Sequence, residues 1–225
     1  MKLLAIDTTE DACSAALWLD GEIDERFELA PRRHSELILP MMDSLLADAG
    51  LTLGALDALA FARGPGAFTG LRIASSVIQG VAFGADLPVV PVSSLQALAQ
   101  GAHIRHGADS VLCALDARMN EVYWGAFRVD PDSIMRAQSD EVVVPASDVA
   151  APAGDGWSAA GSGWRAHADV LEHRCRPLTA VYPDAMVHAG AVATLAAALF
   201  DEGAGVSAEQ ALPVYLRNQV AWAKT

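Results

Sequence analysis

A short repeat constrains the fold of this 225-residue chain more than any other feature of its sequence. Leu4-Ala5-Ile6-Asp7 matches Cys113-Ala114-Leu115-Asp116, and in both copies an apolar run of strand type ends at an aspartate. A polar turn and a second strand-like run follow each aspartate, Cys13 to Trp18 in the first copy and Val122 to Phe127 in the second. The repeat predicts an α/β protein with two related halves.

The two halves are expected to meet in a polar stretch near residues 101 to 109. His103, Arg105, His106 and Gly107 make this stretch a candidate connector. We therefore expect two domains, residues 1–103 and 104–225. The last segment, which begins at Pro213, is free to pack back on the first domain, and the sequence does not fix its placement.

Hydrophobic periodicity predicts the order β-β-β-α-β-α-β-α through residue 100. The predicted strands are 2–8, 13–19, 22–29, 57–62 and 89–92; the predicted helices are Ser35 to Ala49, a helix capped by Thr69 that runs to about Ala85, and a short helix capped by Ser93 or Ser94. The second half is less regular. It gives a hairpin-like stretch at 134–144, a short strand at 157–160 and a helix at 184–200.

The charge of the chain argues against several classes of function. Fifteen Lys and Arg against 28 Asp and Glu give a net charge of −13, which repels phosphate backbones and disfavours a stand-alone nucleic-acid binder. Lys2 and Lys224 are the only lysines, so the sequence has no P-loop lysine, Schiff-base lysine or buried lysine base.

Cysteine usage and hydropathy indicate a compartment. The chain has three cysteines, an odd number, at Cys13, Cys113 and Cys175. They show no C-x-x-C spacing and are typical of reduced core thiols. The apolar run before Asp7 is too short for a secretory signal, and the stretch 186–200 falls short of the ~20 residues that span a bilayer. We expect a cytoplasmic protein without a membrane partner.

Asp7-Thr8-Thr9 follows the first strand, at the end where ligands commonly bind in α/β folds. A carboxylate there can hold a metal-bound phosphate. The alternative is a turn whose Asp and Thr side chains satisfy backbone N–H groups, and for an isolated motif of this kind the residues alone favour the turn.

The glycine-rich run Gly64-Pro65-Gly66-Ala67-Phe68-Thr69-Gly70-Leu71-Arg72 joins a strand to a helix. Such a junction can cradle an anion with backbone N–H groups, although the G-K-[ST] ending of a P-loop is absent. The glycines equally suit a sharp structural turn. Spacing alone leaves the two interpretations equal.

The helix after this run carries two stripes of different character. Ser76, Gly80 and Gly84 lie four residues apart on one stripe, and each mid-helix glycine costs about 1 kcal/mol relative to alanine. Small residues allow another helix to approach closely. The sequence leaves open whether that helix belongs to the same domain or to another subunit. The neighbouring stripe consists of Ile73, Val77 and Val81.

Metal sites and nucleophile elbows are not indicated. The six histidines show no H-E-x-x-H arrangement, and His103 and His106 stand three apart in the polar connector. Gly161-Ser162-Gly163 lacks the spacing of G-x-S-x-G. We expect no metal.

Five motifs together resemble the TsaB (YeaZ) family of bacteria, and they span residues 4 to about 217. They are Asp7-Thr8-Thr9, His34-Ser35-Glu36 with Pro40, the glycine-rich run extended to Ile73, Asp116-Ala117-Arg118 with Glu121-Val122-Tyr123, and Pro213-Val214-Tyr215-Leu216-Arg217. The resemblance implies a duplicated, two-domain actin-like ATPase (ribonuclease H-like) fold. It also implies a role in making threonylcarbamoyladenosine in tRNAs that read codons beginning with A, as a partner and activator of the transferase TsaD, with TsaE joining as an ATPase.

The resemblance also gives the aspartate turns a meaning. In actin-like ATPases two such turns bind phosphates, so Asp7, Thr8, Thr9 and Asp116 are candidate remnants of a nucleotide site. Glu10 and Asp11 in the first turn, and Arg118 and Met119 in the second, stand where glycines would let backbone N–H groups reach phosphates. We expect no cofactor, at most weak binding of ATP or ADP.

Catalysis by this chain is not expected. The catalytic relative holds a metal through a histidine pair, and the matching stretch here is Ser93-Ser94-Leu95-Gln96-Ala97. We therefore expect a non-catalytic subunit that presents two helices to TsaD or, when alone, to a second copy of itself, with tRNA bound through the complex. The alternative is a residual ATPase or a glycoprotease-like metallopeptidase. The candidate interface residues are Leu37, Met41 and Leu45 on the first helix and Ile73, Ser76, Val77, Gly80, Val81 and Gly84 on the second.

Overall fold

The first half of the protein forms a five-stranded sheet. In the computed structural model, which describes residues 1–217, its order is β3-β2-β1-β4-β5. The strands are β1 (Lys2–Asp7), β2 (Ala12–Leu19), β3 (Glu22–Leu29), β4 (Ala58–Ala62) and β5 (Val89–Val92). β2 and β3 pair antiparallel, whereas β4 and β5 run parallel to β1. Because helices cover both faces of β1 and β4, those strands are continuous apolar runs.

The second half repeats this plan. Its strands are β6 (Ser110–Asp116), β7 (Glu121–Val129), β8 (Met135–Ala137), β9 (Val142–Pro145), β10 (Ser158–Ala160) and β11 (Val181–Tyr182). β6 pairs antiparallel with β7 and parallel with β10, as β1 does with β2 and β4. The fold class predicted from the sequence, a duplicated actin-like ATPase fold, is therefore confirmed.

The helices are α1 (His34–Asp48), α2 (Phe68–Ala85), α3 (Ser94–His106), α4 (Ser162–Ala166), α5 (Ala168–Cys175) and α6 (Ala189–Asp201). α1 and α2 cover one face of the first sheet. α6 covers the opposite face, although it comes from the second half of the chain, and α3 packs on the second sheet. The two halves thus exchange helices, and α3 and α6 lie against each other between the sheets.

Residues 103 to 106 form the last turn of α3, so much of the predicted polar connector is helical, and residues 107 to 109 link α3 to β6. Ser93 starts the helix by accepting a hydrogen bond from the Gln96 amide at 3.2 Å, and Gly107 ends it in the left-handed conformation. α3 is also longer than the predicted short helix, because its buried face continues to Ala102. The predicted domain boundary after residue 103 falls inside it.

Three further expectations need correction. α2 begins at Phe68 with Ala67 as its N-cap, so Thr69 lies inside the helix and does not cap it. Residues 134–144 do not form a hairpin, because β8 and β9 both pair with β7. The late helix begins at Ala189, not at 184, and the pattern missed α4 and α5, which are only 5 and 8 residues long.

The segment after α6 returns to the first sheet. Val206 forms a bridge with Val89 of β5, and Ala211 is fully buried in the core beneath α1 and α2. The Val214 amide then donates to the Arg63 carbonyl at 2.7 Å, directly after β4. Between residues 1 and 217 we find no helix that is both long and apolar enough to cross a membrane.

Candidate functional site

A cleft of about 490 Å³ lies between the two repeated turns. Thr9, Glu10 and Asp11 line it from the turn after β1, and Asp116 and Arg118 line it from the turn after β6. The glycine-rich loop and the start of α4 complete its walls; they contribute Gly66, Ala67, Phe68, Ser162 and Arg165. The duplication therefore brings both aspartate turns to one cleft.

Asp7 does not reach this cleft. Its side chain is 0% exposed, and its Oδ1 accepts hydrogen bonds from the Thr9 amide at 3.2 Å and the Thr9 hydroxyl at 2.7 Å. Burial raises the pKa of the Asp7 carboxyl to about 7, against the opposing effect of the Thr9 hydrogen bonds. Thr8 is equally buried and donates to the Gly70 carbonyl. These contacts are those of a turn closed by its own side chains, although the buried Asp7 Oδ2 accepts no hydrogen bond from the described residues.

The second turn is held in a left-handed conformation without any glycine. Arg118, Met119 and Asn120 have φ of 64°, 57° and 60°, and the Arg118 amide donates to Asp116 Oδ1 at 2.8 Å. The Arg118 guanidinium lies 3.2 Å from the other Asp116 oxygen. Of the four residues predicted as remnants of a phosphate site, Thr9 and Asp116 line the cleft, whereas Asp7 and Thr8 lie beneath it.

The glycines of the loop before α2 serve close packing within the chain. A Cβ atom at Gly66 or Gly70 would overlap the backbone of Thr9 or Thr8, and one at Gly64 would overlap the Val214 carbonyl. The Ala67 amide donates to the Thr9 carbonyl at 2.8 Å, which joins the loop to the first aspartate turn. This close packing supports the structural interpretation of these glycines.

The stripe of small residues on α2 faces away from the rest of the described chain. A Cβ atom at Gly80 or Gly84 would meet nothing within 4 Å, and Ser76 is exposed. No helix within residues 1–217 therefore covers this stripe. The neighbouring residues Ile73, Val77 and Val81 are partly buried and pack against the core of the first sheet.

Two aromatic residues that the periodicity did not single out flank this stripe. Phe83 is 76% exposed and Phe68 is 56% exposed, near opposite ends of α2. Arg72 lies over the Phe68 ring at 4.0 Å, and the Tyr215 ring is 5.6 Å from it. Phe68, Arg72, Ser76, Gly80 and Phe83 together form a continuous exposed surface, which we call the α2 face. Their spacing of four, four, four and three residues was a signal available in the sequence.

The predicted residues on α1 divide between core and surface. Leu45 is fully buried among the core residues of the first sheet, whereas Leu37 and Met41 are partly buried. Leu39, which the sequence reasoning missed, is 46% exposed. Helical spacing identifies an apolar side of a helix, but it does not say which of its edges remains uncovered.

The start of α3 holds serines at the positions that match the metal-binding histidine pair of the catalytic relative. Ser93 caps α3 and its hydroxyl donates to Glu141, whose burial raises the pKa of that carboxyl. Across residues 1–217, we find no group of three or more His, Cys, Asp or Glu side chains placed to hold a metal ion.

Comparison with known proteins gives matches along the whole chain. A family profile described as TsaD, tRNA N6-adenosine threonylcarbamoyltransferase, matches residues 28–225. The tRNA threonylcarbamoyladenosine biosynthesis protein TsaB of Escherichia coli K12 is 43% identical and is covered over 98% of its length; that of Haemophilus influenzae is 40% identical over 97% of its length. The solved structure of YeaZ from Pseudomonas aeruginosa superimposes with a TM-score of 0.90 at 45% identity, covering 96% of this chain and 99% of that one.

Two sheets on one duplicated plan, with their aspartate turns facing a shared cleft, define a protein of the actin-like ATPase class. Both TsaB relatives match this chain over its full length. The chain therefore belongs to the TsaB (YeaZ) family, and the related TsaD profile matches it as well. The family predicted from the five motifs is thereby confirmed.

Proposed function

We propose that this chain acts in the biosynthesis of threonylcarbamoyladenosine in tRNA, as a non-catalytic subunit that binds and activates TsaD through the α2 face. The single observation that carries this proposal is the open stripe of Ser76, Gly80 and Gly84. Each glycine costs helix stability, and nothing in the described chain uses the space that it leaves. Close packing of a partner helix against these small residues would explain why glycines occupy these positions.

The composition of the α2 face suits such a partner. Phe68 and Phe83 offer large apolar side chains near its ends, and the small residues between them let a helix approach. Aromatic side chains, phenylalanine among them, are enriched at protein interfaces. In the absence of TsaD the same face is available to a second copy, so we expect a homodimer when the chain is alone.

A residual ATPase or metallopeptidase is the alternative function. The resemblance places the first aspartate of an actin-like ATPase in a phosphate-binding turn, but here Asp7 lies beneath the cleft with both Thr9 donors on one oxygen. We therefore propose no cofactor and no turnover. Assays of ATP and peptide hydrolysis, with and without divalent metal, test this; activity that is lost in Asp7→Ala would establish the alternative.

Substrate tRNA and TsaE reach this chain through the complex in our proposal. The net charge of −13 leaves little capacity for phosphate contacts by the isolated chain, although thirteen arginines can form local patches. The pathway acts on tRNA, so we place the protein in the cytoplasm.

Size-exclusion chromatography with light scattering tests the interface. Gly80→Leu should fill the open stripe, hold the partner helix away and weaken association with TsaD and with a second copy by at least about tenfold. Gly54→Leu is the matched control, because Gly54 also has open space around it but lies in the turn before β4, outside the α2 face. A folded Gly80→Leu variant that associates as tightly as the control would refute the proposed interface.

A further inference from the structure

Glu10 links the two halves of the protein across the cleft. Its Oε1 accepts a hydrogen bond from the Ser162 hydroxyl at 3.2 Å, and its Oε2 accepts one from the Val187 amide at 3.3 Å. Ser162 begins α4, which packs on β6 of the second sheet, and Val187 precedes α6. Both carboxylate oxygens therefore have a donor, and the Ser162 contact crosses from one sheet to the other.

The Ser162 hydroxyl extends this link to the second aspartate turn. It accepts a hydrogen bond from the Asp116 amide at 3.2 Å while it donates to Glu10. One chain of hydrogen bonds thus runs from the turn after β6 to the turn after β1. The donors in this chain are a backbone amide and a hydroxyl, which are the groups that hold anionic ligands in such clefts.

Glu10 is partly buried where it lines the cleft. Burial raises its pKa to about 7, against the opposing effects of the Val187 and Ser162 hydrogen bonds. Asp11 raises this pKa further and Arg165 lowers it. Other charged groups facing the cleft are Asp116 and Arg118, which are paired with each other.

We propose that Glu10 is a built-in occupant of the cleft: its carboxyl oxygens take the Ser162 and Val187 donors that the phosphate of a nucleotide would otherwise use, and thereby fasten the two halves together. The inference concerns the cleft of this chain and does not depend on the role of the α2 face. It assigns a structural role to Glu10, which stands where a phosphate-binding turn would have a glycine.

The rest of the contact between α6 and the first sheet is independent of Glu10. The Ala189 amide donates to Ser14 Oγ and the Gly190 amide donates to Glu25 Oε1, both at 2.9 Å. These two bonds keep the start of α6 in place when Glu10 is removed. Loss of the Glu10 side chain should therefore open the cleft at Ser162 without unfolding the chain.

Hydrogen exchange and nucleotide binding together test the proposal. In Glu10→Ala, the amides of Val187 and Asp116 should exchange at least about tenfold faster than in the unsubstituted protein. The Val187 amide loses its acceptor, and the Asp116 amide donates to a Ser162 hydroxyl that is no longer held by Glu10. ATP and ADP should bind at least about tenfold more tightly to this variant in isothermal titration calorimetry. Glu10→Gln has an amide with a single acceptor oxygen, so its exchange rates and nucleotide affinity should lie between those of Glu10→Ala and the unsubstituted protein.

Asp11→Ala is the matched control for charge. Asp11 lines the same cleft, and its removal changes the net charge equally while it leaves the Glu10 contacts in place. Ser162→Ala is the complementary variant, since it removes the contact that crosses the cleft without any change of charge. It should speed hydrogen exchange at the Asp116 amide, and this result does not depend on the stability of Glu10→Ala.

The outcomes separate clearly. If Asp11→Ala gains as much nucleotide affinity as Glu10→Ala, charge alone is responsible and the proposal is wrong. Unchanged exchange at Val187 and Asp116 in Glu10→Ala and Ser162→Ala would also overturn it. Binding of TsaD to Glu10→Ala is expected to be normal, so failure of the proposed α2 interface would be detected separately.

Discussion

The hydroxyl of Thr8 donates to the carbonyl of Gly70 at 2.8 Å, and this contact joins the turn after β1 to the first turn of α2. The close approach requires a glycine, because a Cβ atom at Gly70 would overlap the carbonyl oxygen of Thr8. The orientation of α2, and with it the position of the α2 face, therefore depends on a buried backbone contact with the aspartate turn.

We predict that Gly70→Ala destabilises the protein by about 2 kcal/mol or more, because neither backbone segment can move away without breaking other contacts. Gly80→Ala is the control in the same helix. It meets nothing within 4 Å and should stabilise the chain by about 0.5–1 kcal/mol through helix propensity. Urea unfolding of both variants measures the difference; equal stabilities would show that the turn and helix are not rigidly joined.

We predict that Asp7→Asn stabilises the protein at high pH. Burial raises the pKa of Asp7 to about 7, so the native state binds more protons than the unfolded chain between about pH 4 and 7. The free energy of unfolding contributed by this group is therefore highest below about pH 4 and falls as the pH rises through 7.

The neutral amide introduced by Asp7→Asn avoids this loss, and its oxygen can still accept from Thr9. Thermal unfolding from pH 4 to 9 should show a higher Tm for Asp7→Asn above pH 7 and a difference that disappears near pH 4. Asp43→Asn on the exposed side of α1 should follow the unsubstituted protein at every pH. A constant difference between Asp7→Asn and the unsubstituted protein would contradict the pKa shift.

We predict that Phe83→Ala weakens association with TsaD, and with a second copy, by about tenfold or more, because it removes the apolar area that the exposed Phe83 ring would bury at the interface. Ile104→Ala on α3 is the control, because Ile104 is 54% exposed but lies outside the α2 face. Analytical ultracentrifugation measures both. Equal losses in the two variants would point to a general effect of surface hydrophobicity.

We predict that the isolated chain shifts tRNA very little in an electrophoretic mobility assay at near-physiological salt, and that addition of TsaD gives a clear shift. The reason is the charge of −13, which disfavours counterion release from tRNA phosphates. Tight, salt-sensitive binding by the chain alone, lost in an Arg32→Ala/Arg33→Ala double variant, would assign the RNA contact to this subunit.

The sequence alone determined the strands of the first half and the duplication. Apolar runs that end at Asp7 and Asp116 correspond to β1 and β6, because strands covered on both faces must be continuously apolar. The long helices α1 and α2 were also predicted close to their observed ends, since a 3.6-residue period records which side of a helix is buried.

The tertiary structure alone decided which surfaces remain uncovered and which groups meet. Periodicity shows that Gly80 and Gly84 share a stripe, but only the packing shows that no described helix lies on it. The packing of α6 on β1, and the contact of Glu10 with Ser162, join residues more than 150 positions apart. A local pattern shows which side of a helix is apolar, whereas the neighbour that covers it, or its absence, depends on how distant segments pack.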